Sequence, residues 1–599
     1  MKKNIQYILT SVFVLPCLFV FGQYDDYIGA GHSEGIIVSS SSQSENTQAL
    51  GTLNGSGLFA RHAEAGRFLN QATFGPTQEE IEICAEMGFE NWIDAQFALP
   101  SSEYQVLAED IWDEYLTAFM DLGYTEDDVY GPWYKHFSYA WWTNVAQEPD
   151  QLRQRMAYAL SQIFVISINS DLQDHGIEIA SYYDKLMLHS FGNFRDLLFD
   201  VTMDANMGFY LSHLNNPREN LEENIHPDEN YAREIMQLFS IGLFELNLDG
   251  THKLDANGNS IPTYDNNDIK QFARVFTGLG MSAINDNVDW VDEAYFGLGI
   301  YGGNMTYPMK MYPEFHETGT KELLNGYVIP ADQDPMQDIH DAIDHLFNHE
   351  NVGPFISKQL IQRFVKSNPS PAYVSRVATI FNDNGSGIRG DMKSVIKAIL
   401  LDEEARSCSG LDNLNEGKMK EPLIRYTHFI RSTPFDNPLD KYWNPSLNFS
   451  RDTEQAVLAA PTVFNFYLPD HQPVGALTQA DLVAPEFSLH NTRTSIGYIN
   501  QVNQWSVWGA PWWSWDDEIG IETVRINYEA YPEEFQDPET LIHHFDLIYT
   551  GGQMSDETKN NIRDQLIQLY FGPGEEDWMY RIMLGQYLTL ISPDFVIQK

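Results

Sequence analysis

The segment from His226 to Gln237 has the residue types and spacing most suggestive of chemistry. Asn230, Arg233, Glu234 and Gln237 recur at the i, i+3, i+4, i+7 spacing that brings side chains to one side of a helix. A carboxyl group, a guanidinium and amides on one stripe can position a polar ligand and transfer a proton to it. The same stripe also occurs on any solvated helix face, so the spacing leaves both interpretations open.

Two groups of histidines suggest a metal ion but are better explained without one. Asp341, His345 and His349 recur every four residues, which is a ligand spacing on a helix. Asp341 and His345 lie opposite the apolar side of the same pattern, which is typical of a solvated face. His543 and His544 are adjacent in the sequence and therefore cannot share a helix face.

Residues 255–266 begin like a calcium-binding loop, with Asp and Asn alternating from Asp255. Ser260 stands where such a loop needs its turn glycine, and Asn266 stands where it needs its closing glutamate. A hairpin turn is the better prediction for this run. The chain also has no nucleophile elbow, no phosphate-binding glycine loop and no dinucleotide fingerprint. We therefore predict no metal site and no cofactor.

The charge of the chain argues against nucleic acid as a partner. Its 599 residues include 85 Asp and Glu against 36 Lys and Arg, for a formal net charge of −49. Binding to phosphates requires a basic surface, which this composition does not provide. Such a charge is typical of a protein kept soluble in a salty medium, and binding of cations or of a basic partner is the alternative.

The first residues predict export. Lys2 and Lys3 precede an apolar stretch from Tyr7 to Phe21 that is shorter than the roughly 20 residues of a membrane-spanning helix. We therefore predict a signal peptide over residues 1–22 and an exported protein located in the periplasm, at the cell surface or outside the cell. Residues 23–57 are rich in serine and weakly apolar, and we predict a flexible leader there.

Helical periodicity dominates the rest of the chain. Apolar residues recur at helical spacing in 133–146, 150–167, 193–204, 229–243, 266–278, 336–348, 353–366, 391–403, 422–432, 555–571 and 576–591. Two segments break this pattern: residues 247–263 contain two turn signals, and residues 281–330 are rich in Gly, Tyr and Pro. We predict a mainly α fold over 58–599, a large multi-helix globular domain with a small β-hairpin and irregular insertion.

Two further features leave alternatives open. Cys84 lies in an apolar helical pattern and is predicted to be a buried, inert thiol; whether it pairs with Cys408 stays open. The tryptophan-rich run 503–516 forms either exposed rings that stack on sugars or a buried aromatic cluster.

Several short motifs occur in a fixed order along the chain. They are Arg67–Pro76 (RFLNQATFGP), Asp184–Lys185, Gly192–Arg195, Asp228–Glu234 (DENYARE), Ala273–Gly278, His316–Lys321 (HETGTK) and Ser367–Pro371. In these motifs the chain resembles, from Leu58 to the C-terminus, the bacterial family called domain of unknown function 1800. The resemblance implies an exported protein of unsettled activity, often encoded beside exported proteins similar to sulfatases and alkaline phosphatases. It also makes Arg67, Asn193 and Arg274, together with Asn230, candidates for substrate binding.

A single polar cleft would unite the strongest candidates. His316 and Lys321 come from the irregular segment 281–330, and with Glu234, Arg233 and Asn230 they would supply an acid–base or anion-binding pocket. We predict Glu234, His316, Lys321 and Arg233 as catalytic residues. The alternative is that His316 and Lys321 only hydrogen-bond the long segment in place.

Two functions follow from these features. The first is an exported hydrolase or other enzyme that acts on an envelope or extracellular polysaccharide through this cleft. The second is a non-catalytic binding or assembly protein that works with an exported sulfatase-like partner. A glycan ligand suits either function, and no segment after the signal peptide is apolar for long enough to span a membrane.

Overall fold

The computed structural model of the protein describes residues 58–599 except for 126–127, 286–287, 289, 408–415, 438–440, 444–446, 508–523 and 570–576. The predicted signal peptide and leader, Cys408 and the later tryptophans of the 503–516 run lie outside the described residues.

Helices make up most of the described chain, as the periodicity predicts. The α-helices are α1 (Leu58–Ala72), α2 (Gln78–Met87), α3 (Phe89–Ala98), α4 (Tyr104–Asp121), α5 (Tyr134–Gln147), α6 (Gln151–Ser161), α7 (Gly176–His189), α8 (Phe194–Met203), α9 (Ala205–Tyr210), α10 (Asn230–Gln237), α11 (Asn266–Val275), α12 (Pro335–Phe347), α13 (Val352–Phe364), α14 (Pro371–Asn382), α15 (Met392–Leu401), α16 (Glu403–Arg406), α17 (Pro422–Ser432), α18 (Leu447–Thr453), α19 (Ala476–Gln479), α20 (Thr492–Val502), α21 (Pro538–Thr550), α22 (Asp556–Gln568), α23 (Asp577–Leu590) and α24 (Pro593–Val596).

The strands are short and form separate antiparallel pairs. They are β1 (Leu279–Gly280) with β2 (Lys310–Met311), β3 (Lys321–Leu323) with β4 (Tyr327–Ile329), β5 (Lys418–Met419) with β8 (Ile597–Gln598), and β6 (Phe435–Asp436) with β7 (Arg525–Ile526). The protein is therefore a mainly α, multi-helix protein with small β insertions.

Local chemistry explains the turn between the first two helices. Thr77 Oγ1 accepts a hydrogen bond from the Glu80 amide, and Glu80 Oε2 accepts one from the Thr77 amide, which forms a capping box at the start of α2. Gly75 has a φ of +116°, and a Cβ there would lie 2.4 Å from the His428 Cα. Only glycine allows α1 to turn this close to α17.

One continuous apolar core runs from α1 to α24. Its largest fully buried side chains include Trp141, Trp142 and Trp505. The Tyr426 ring bridges two of these tryptophans, with its centroid 5.1 Å from Trp142 and 4.3 Å from Trp505. For the tryptophan-rich run, Trp505 is thus part of a buried aromatic cluster.

The two segments predicted to be irregular have the expected character. Residues 247–263 form two successive turns closed by isolated bridges, Leu246 with His252 and Leu254 with Ser260. The 281–330 segment contains short strands and single turns of 3-10 helix between stretches without regular structure.

Burial also accounts for Cys84. Its side chain is fully buried, and this burial raises the pKa of the thiol to about 12. The prediction of a buried thiol is confirmed. None of the helices in the described part of the chain has both the length and the apolar content needed to span a bilayer.

Candidate functional site

The polar stripe on α10 is divided between the interior and the surface. Glu234 is 4% exposed, and its Oε2 atom has no hydrogen-bond partner among the described residues. Burial raises the pKa of this carboxyl to about 7, although the neighbouring Arg233 acts to lower it. Asn230 is exposed, and Arg233 pairs with Glu229 at 3.7 Å. Of the stripe, only Glu234 has the properties of a buried acid.

His316 and Lys321 meet on a third residue, Asp338 of α12. Asp338 Oδ2 lies 3.0 Å from His316 Nε2 and 2.6 Å from Lys321 Nζ, and all three side chains are 1% exposed. Burial tends to raise the pKa of Asp338, but its bonds to His316 and Lys321 outweigh this effect and the pKa is lowered. Sequence reasoning missed Asp338 because it lies in an ordinary amphipathic helix, 17 residues beyond Lys321, and no motif includes it.

These contacts leave neither His316 nor Lys321 free. The Lys321 ammonium also donates to the carbonyl oxygens of Glu317 and Gly319, which uses all three of its N–H groups. His316 Nδ1 lies 2.9 Å from the carbonyl oxygen of Thr277. The arrangement fits the alternative in which both residues hold the irregular segment in place.

Glu234 and the cluster of Asp338, His316 and Lys321 lie on different elements that pack against α11. Helix α11 packs against α10, which carries Glu234, and also against β3 and α12, which carry Lys321 and Asp338. No hydrogen bond or ion pair between described residues joins Glu234 to His316 or Lys321. The single cleft stays a prediction.

The three candidates taken from family motifs make contacts within the protein. The Arg67 guanidinium donates to the carbonyl oxygens of Ala405, Arg406, Ser407 and Lys599 at 2.8–3.1 Å. It therefore fastens α1 to the end of α16 and to the last residue of the chain.

Asn193 and Arg274 have similar positions. Asn193 accepts the Arg195 amide at the start of α8 and donates to the carbonyl oxygen of Arg389. Arg274 Nη1 donates to the Thr320 carbonyl oxygen, and its Nη2 lies 3.5 Å from a Glu317 carboxylate oxygen. Each of the two joins a loop to a helix.

A cavity of about 360 Å³ lies between the ends of α6 and α10 and one side of α13, and we call it the α13 cavity. This volume falls within the roughly 300–1,000 Å³ of small-molecule sites. Its wall includes Gln162, Gln237, Gln359, Gln362, Arg363, Asn465 and Tyr467, and its apolar side includes Leu243, Phe244, Phe355, Phe464 and Leu468.

Several polar atoms on this wall lack a partner within the described protein. They are Gln162 Oε1, Gln359 Nε2, Gln362 Oε1, Arg363 Nε and Asn465 Nδ2, and each belongs to a residue at most 7% exposed. A buried polar atom without a hydrogen bond costs roughly 1–3 kcal/mol. All five atoms belong to residues that line the α13 cavity, which makes this cavity the leading candidate for a ligand-binding site.

The free ends of two of these amides are held in a defined orientation. Gln162 donates its amide to Glu421 Oε2 at 2.6 Å, and Gln362 donates to the carbonyl oxygens of Ser367 and Pro469 at 3.0 Å. The amide oxygen of each side chain is therefore the end without a hydrogen-bond partner among the described residues.

Buried charges lie behind this wall. Glu421 Oε2 also accepts the Tyr158 hydroxyl at 2.7 Å, and Lys418 pairs with Glu486 at 2.8 Å. Burial tends to raise the pKa of Glu421, but Lys418 and Arg155 reverse this effect and the pKa is lowered. Glu421 is thus the carboxylate that the surrounding cations keep ionised.

The cavity also lies close to Glu234. Gln237, one turn further along α10, is part of its wall and accepts a hydrogen bond from the Tyr264 hydroxyl at 3.2 Å. Burial and then the charge of Glu234 raise the pKa of Tyr264 to about 12. A buried acid therefore lies next to the residues that line the cavity.

Two other cavities are weaker candidates. One of about 890 Å³ lies between the end of α17 and α21, and one of about 50 Å³ lies beside α1 and the C-terminus. Each has fewer unpartnered buried polar atoms in its lining than the α13 cavity. In the described ranges no three or more His, Cys, Asp or Glu side chains are grouped so as to hold a metal ion.

The fold and the cavity define a class of mainly α proteins with a polar cavity between helices. The chain belongs to the family described as protein of unknown function (DUF1800), whose model matches residues 67–597. This match confirms the resemblance seen in the motifs. No curated protein and no solved structure matches the chain.

Proposed function

We propose that this exported protein binds a segment of an envelope or extracellular polysaccharide in the α13 cavity. The observation that carries the proposal is the set of unpartnered polar atoms on one cavity wall. Two are amide oxygens that accept, and three are N–H groups that donate. Sugar hydroxyls both donate and accept, so a wall that offers both suits them.

The apolar side of the cavity supports the same ligand. Phe244 is 37% exposed and Phe464 is 42% exposed although both line the cavity. Aromatic faces pack well against the C–H faces of a ligand whose edges are polar. A sugar ring has both features.

Binding is tested by calorimetric titration of the full chain with oligosaccharides released from envelope and extracellular polymers. Phe464→Ala removes an exposed ring, and Gln359→Leu removes an unpartnered amide; each should weaken binding about tenfold. Ile388→Ala, which truncates a 50%-exposed side chain outside the cavity lining, is the matched control. Unchanged affinity in both cavity variants would refute the proposal.

Hydrolysis of the bound polymer is the second candidate, because Glu234 has a pKa of about 7 close to the cavity. A carboxyl group with such a pKa can act as a general acid near neutral pH. The release of reducing ends should then fall as the pH rises above about 7, and Glu234→Gln should abolish it while binding persists. If the polymer stays intact with wild-type protein across this pH range, hydrolysis is refuted and only the binding function is still proposed.

Assembly with an exported sulfatase-like partner stays a prediction. Pull-down from envelope extract with wild-type protein and with the Glu234→Gln, His316→Ala double variant tests it. A partner retained by both proteins would favour the non-catalytic role.

A further inference from the structure

The charges behind the α13 cavity do not balance. The buried groups are the cations Arg155, Arg363, Lys418 and Arg425 and the carboxylates Glu421 and Glu486, each at most 5% exposed. Both carboxylates act electrostatically on Arg363 and on Arg425. Lys418 and Glu486 form an ion pair. The net charge of this pair is zero whether the proton between them is bound to the lysine or to the glutamate. Glu421 offsets one of the three guanidinium groups, so positive charge is in excess among these described residues.

Arg363 is the buried cation in the cavity lining. Its guanidinium donates to the carbonyl oxygens of Gln359 and Gln162 at 3.2 and 3.0 Å, and Nε has no acceptor. Three of its five N–H groups are therefore without an acceptor in the described chain. Glu421 and Glu486 act on Arg363 electrostatically, but no carboxylate of the described residues forms an ion pair with it.

Arg155 lies deeper than Arg363. It donates to the carbonyl oxygen of Arg363 at 2.7 Å, and its guanidinium packs 5.0 Å from the centre of the Phe364 ring. Arg155 also helps to lower the pKa of Glu421. Glu421 acts on both Arg155 and Arg363, but of the two only Arg363 belongs to the cavity lining, so Arg363 is the one beside a bound ligand.

We infer that the ligand of the α13 cavity carries an anionic group, either a carboxylate or a sulfate or phosphate ester, and that Arg363 is its counter-charge. The inference rests on the proposed saccharide binding and names the class of saccharide. Arg forms planar, paired hydrogen bonds with such oxyanions. The chain has a net charge of −49, so a buried cation without an ion-pair partner on a cavity wall has the opposite sign to the charge of the protein as a whole.

The mouth of the cavity adds no net charge to this balance. Lys358 and Asp470 both line it, and Asp470 acts on Lys358 electrostatically. Burial lowers the pKa of His252, the other titratable group at the mouth, which favours its neutral form. The preference for an anion therefore depends on Arg363.

Calorimetric titration of the full chain with three oligosaccharides of equal length tests the inference. One is neutral, one contains uronate and one is sulfated; inorganic sulfate and laurate serve as anions without a sugar. We expect one acidic oligosaccharide to bind at least tenfold more tightly than the neutral one, and the better of the two identifies the anionic group.

Charge variants locate the anion. Arg363→Met should remove the preference for the acidic oligosaccharide, with circular dichroism as the check of folding. Lys358→Glu reverses an exposed charge at the mouth and should weaken acidic but not neutral binding about tenfold, even if Arg363→Met does not fold. Lys270→Glu, an equally exposed reversal on α11, should change neither affinity.

The outcomes separate this inference from the proposed function. Equal affinity for neutral and acidic oligosaccharides would refute the inference of an anionic ligand and would leave the proposal of saccharide binding intact. If sulfate or laurate binds but none of the three oligosaccharides does, the anionic ligand is supported and polysaccharide binding is refuted. Binding of none of the five probes would overturn both.

Discussion

Replacing Glu234 by glutamine tests whether its carboxyl is enclosed as the fold indicates. The side chain is 4% exposed, and burial raises its pKa from 4.5 to about 7. Glutamine keeps the size and polarity of the side chain but carries no charge. The variant therefore isolates the free energy of ionising this one buried group.

The effect has a defined sign and size. The unfolded chain releases this proton near pH 4.5, whereas the folded protein holds it until about pH 7. Stability is unaffected below about pH 4.5, falls as the pH rises between these values, and carries the full cost above about pH 7. At about 1.4 kcal/mol for each tenfold change in proton affinity, that cost is about 3 kcal/mol.

Thermal unfolding between pH 4.5 and 8 measures this difference. An unfolding entropy of about 1.1 kcal/mol/K for roughly 540 folded residues converts about 3 kcal/mol into about 3 °C. The midpoint of Glu234→Gln should therefore gain about 3 °C on wild type across this range. Glu223→Gln, which removes an exposed carboxylate from the loop before α10, should show no such gain. A constant difference for Glu234→Gln at all pH values would refute the reasoning.

Two further substitutions test structural roles. Asp338→Asn leaves the Lys321 ammonium buried without its counter-charge and should lower the free energy of unfolding by about 3–5 kcal/mol. Denaturant titration measures this loss, with Asp341→Asn on the same helix as the control. Similar losses in the two variants would contradict this role of Asp338. Arg67→Lys loses the planar set of N–H donors that holds four carbonyl oxygens, so the unfolding midpoint should fall while oligosaccharide affinity stays the same. Weaker binding by a fully folded Arg67→Lys protein would restore the prediction that Arg67 binds substrate.

Sequence periodicity was sufficient for the mainly α fold and for many local features. The burial of Cys84 and the irregular character of 281–330 depend on residues close together in the chain. Other helices, such as α7 and α14, were not predicted. α10 is shorter than its pattern and ends at Gln237, where the chain turns beside the cavity. Tertiary packing decides such ends because it supplies the partners of the last carbonyl groups.

The candidate site shows where the sequence alone was insufficient. Glu234 was recognised by its spacing, but the spacing does not say whether the stripe faces solvent or protein. His316 and Lys321 were recognised by a motif, whereas their common partner, Asp338, depends on the docking of α12 against β3. A charge and its partner can be distant in sequence, so only the folded chain pairs them.

The amino-acid sequence by itself determined the helical class, the acidic composition and the family of this protein, because these depend on composition, periodicity and local motifs. Only the tertiary structure decided which polar groups are enclosed. The α13 cavity takes its wall from residues 162, 237, 359–363 and 465–467, which lie up to about 300 positions apart. Their unpartnered atoms and unmatched charge arise from burial, and burial is a property of the packed chain.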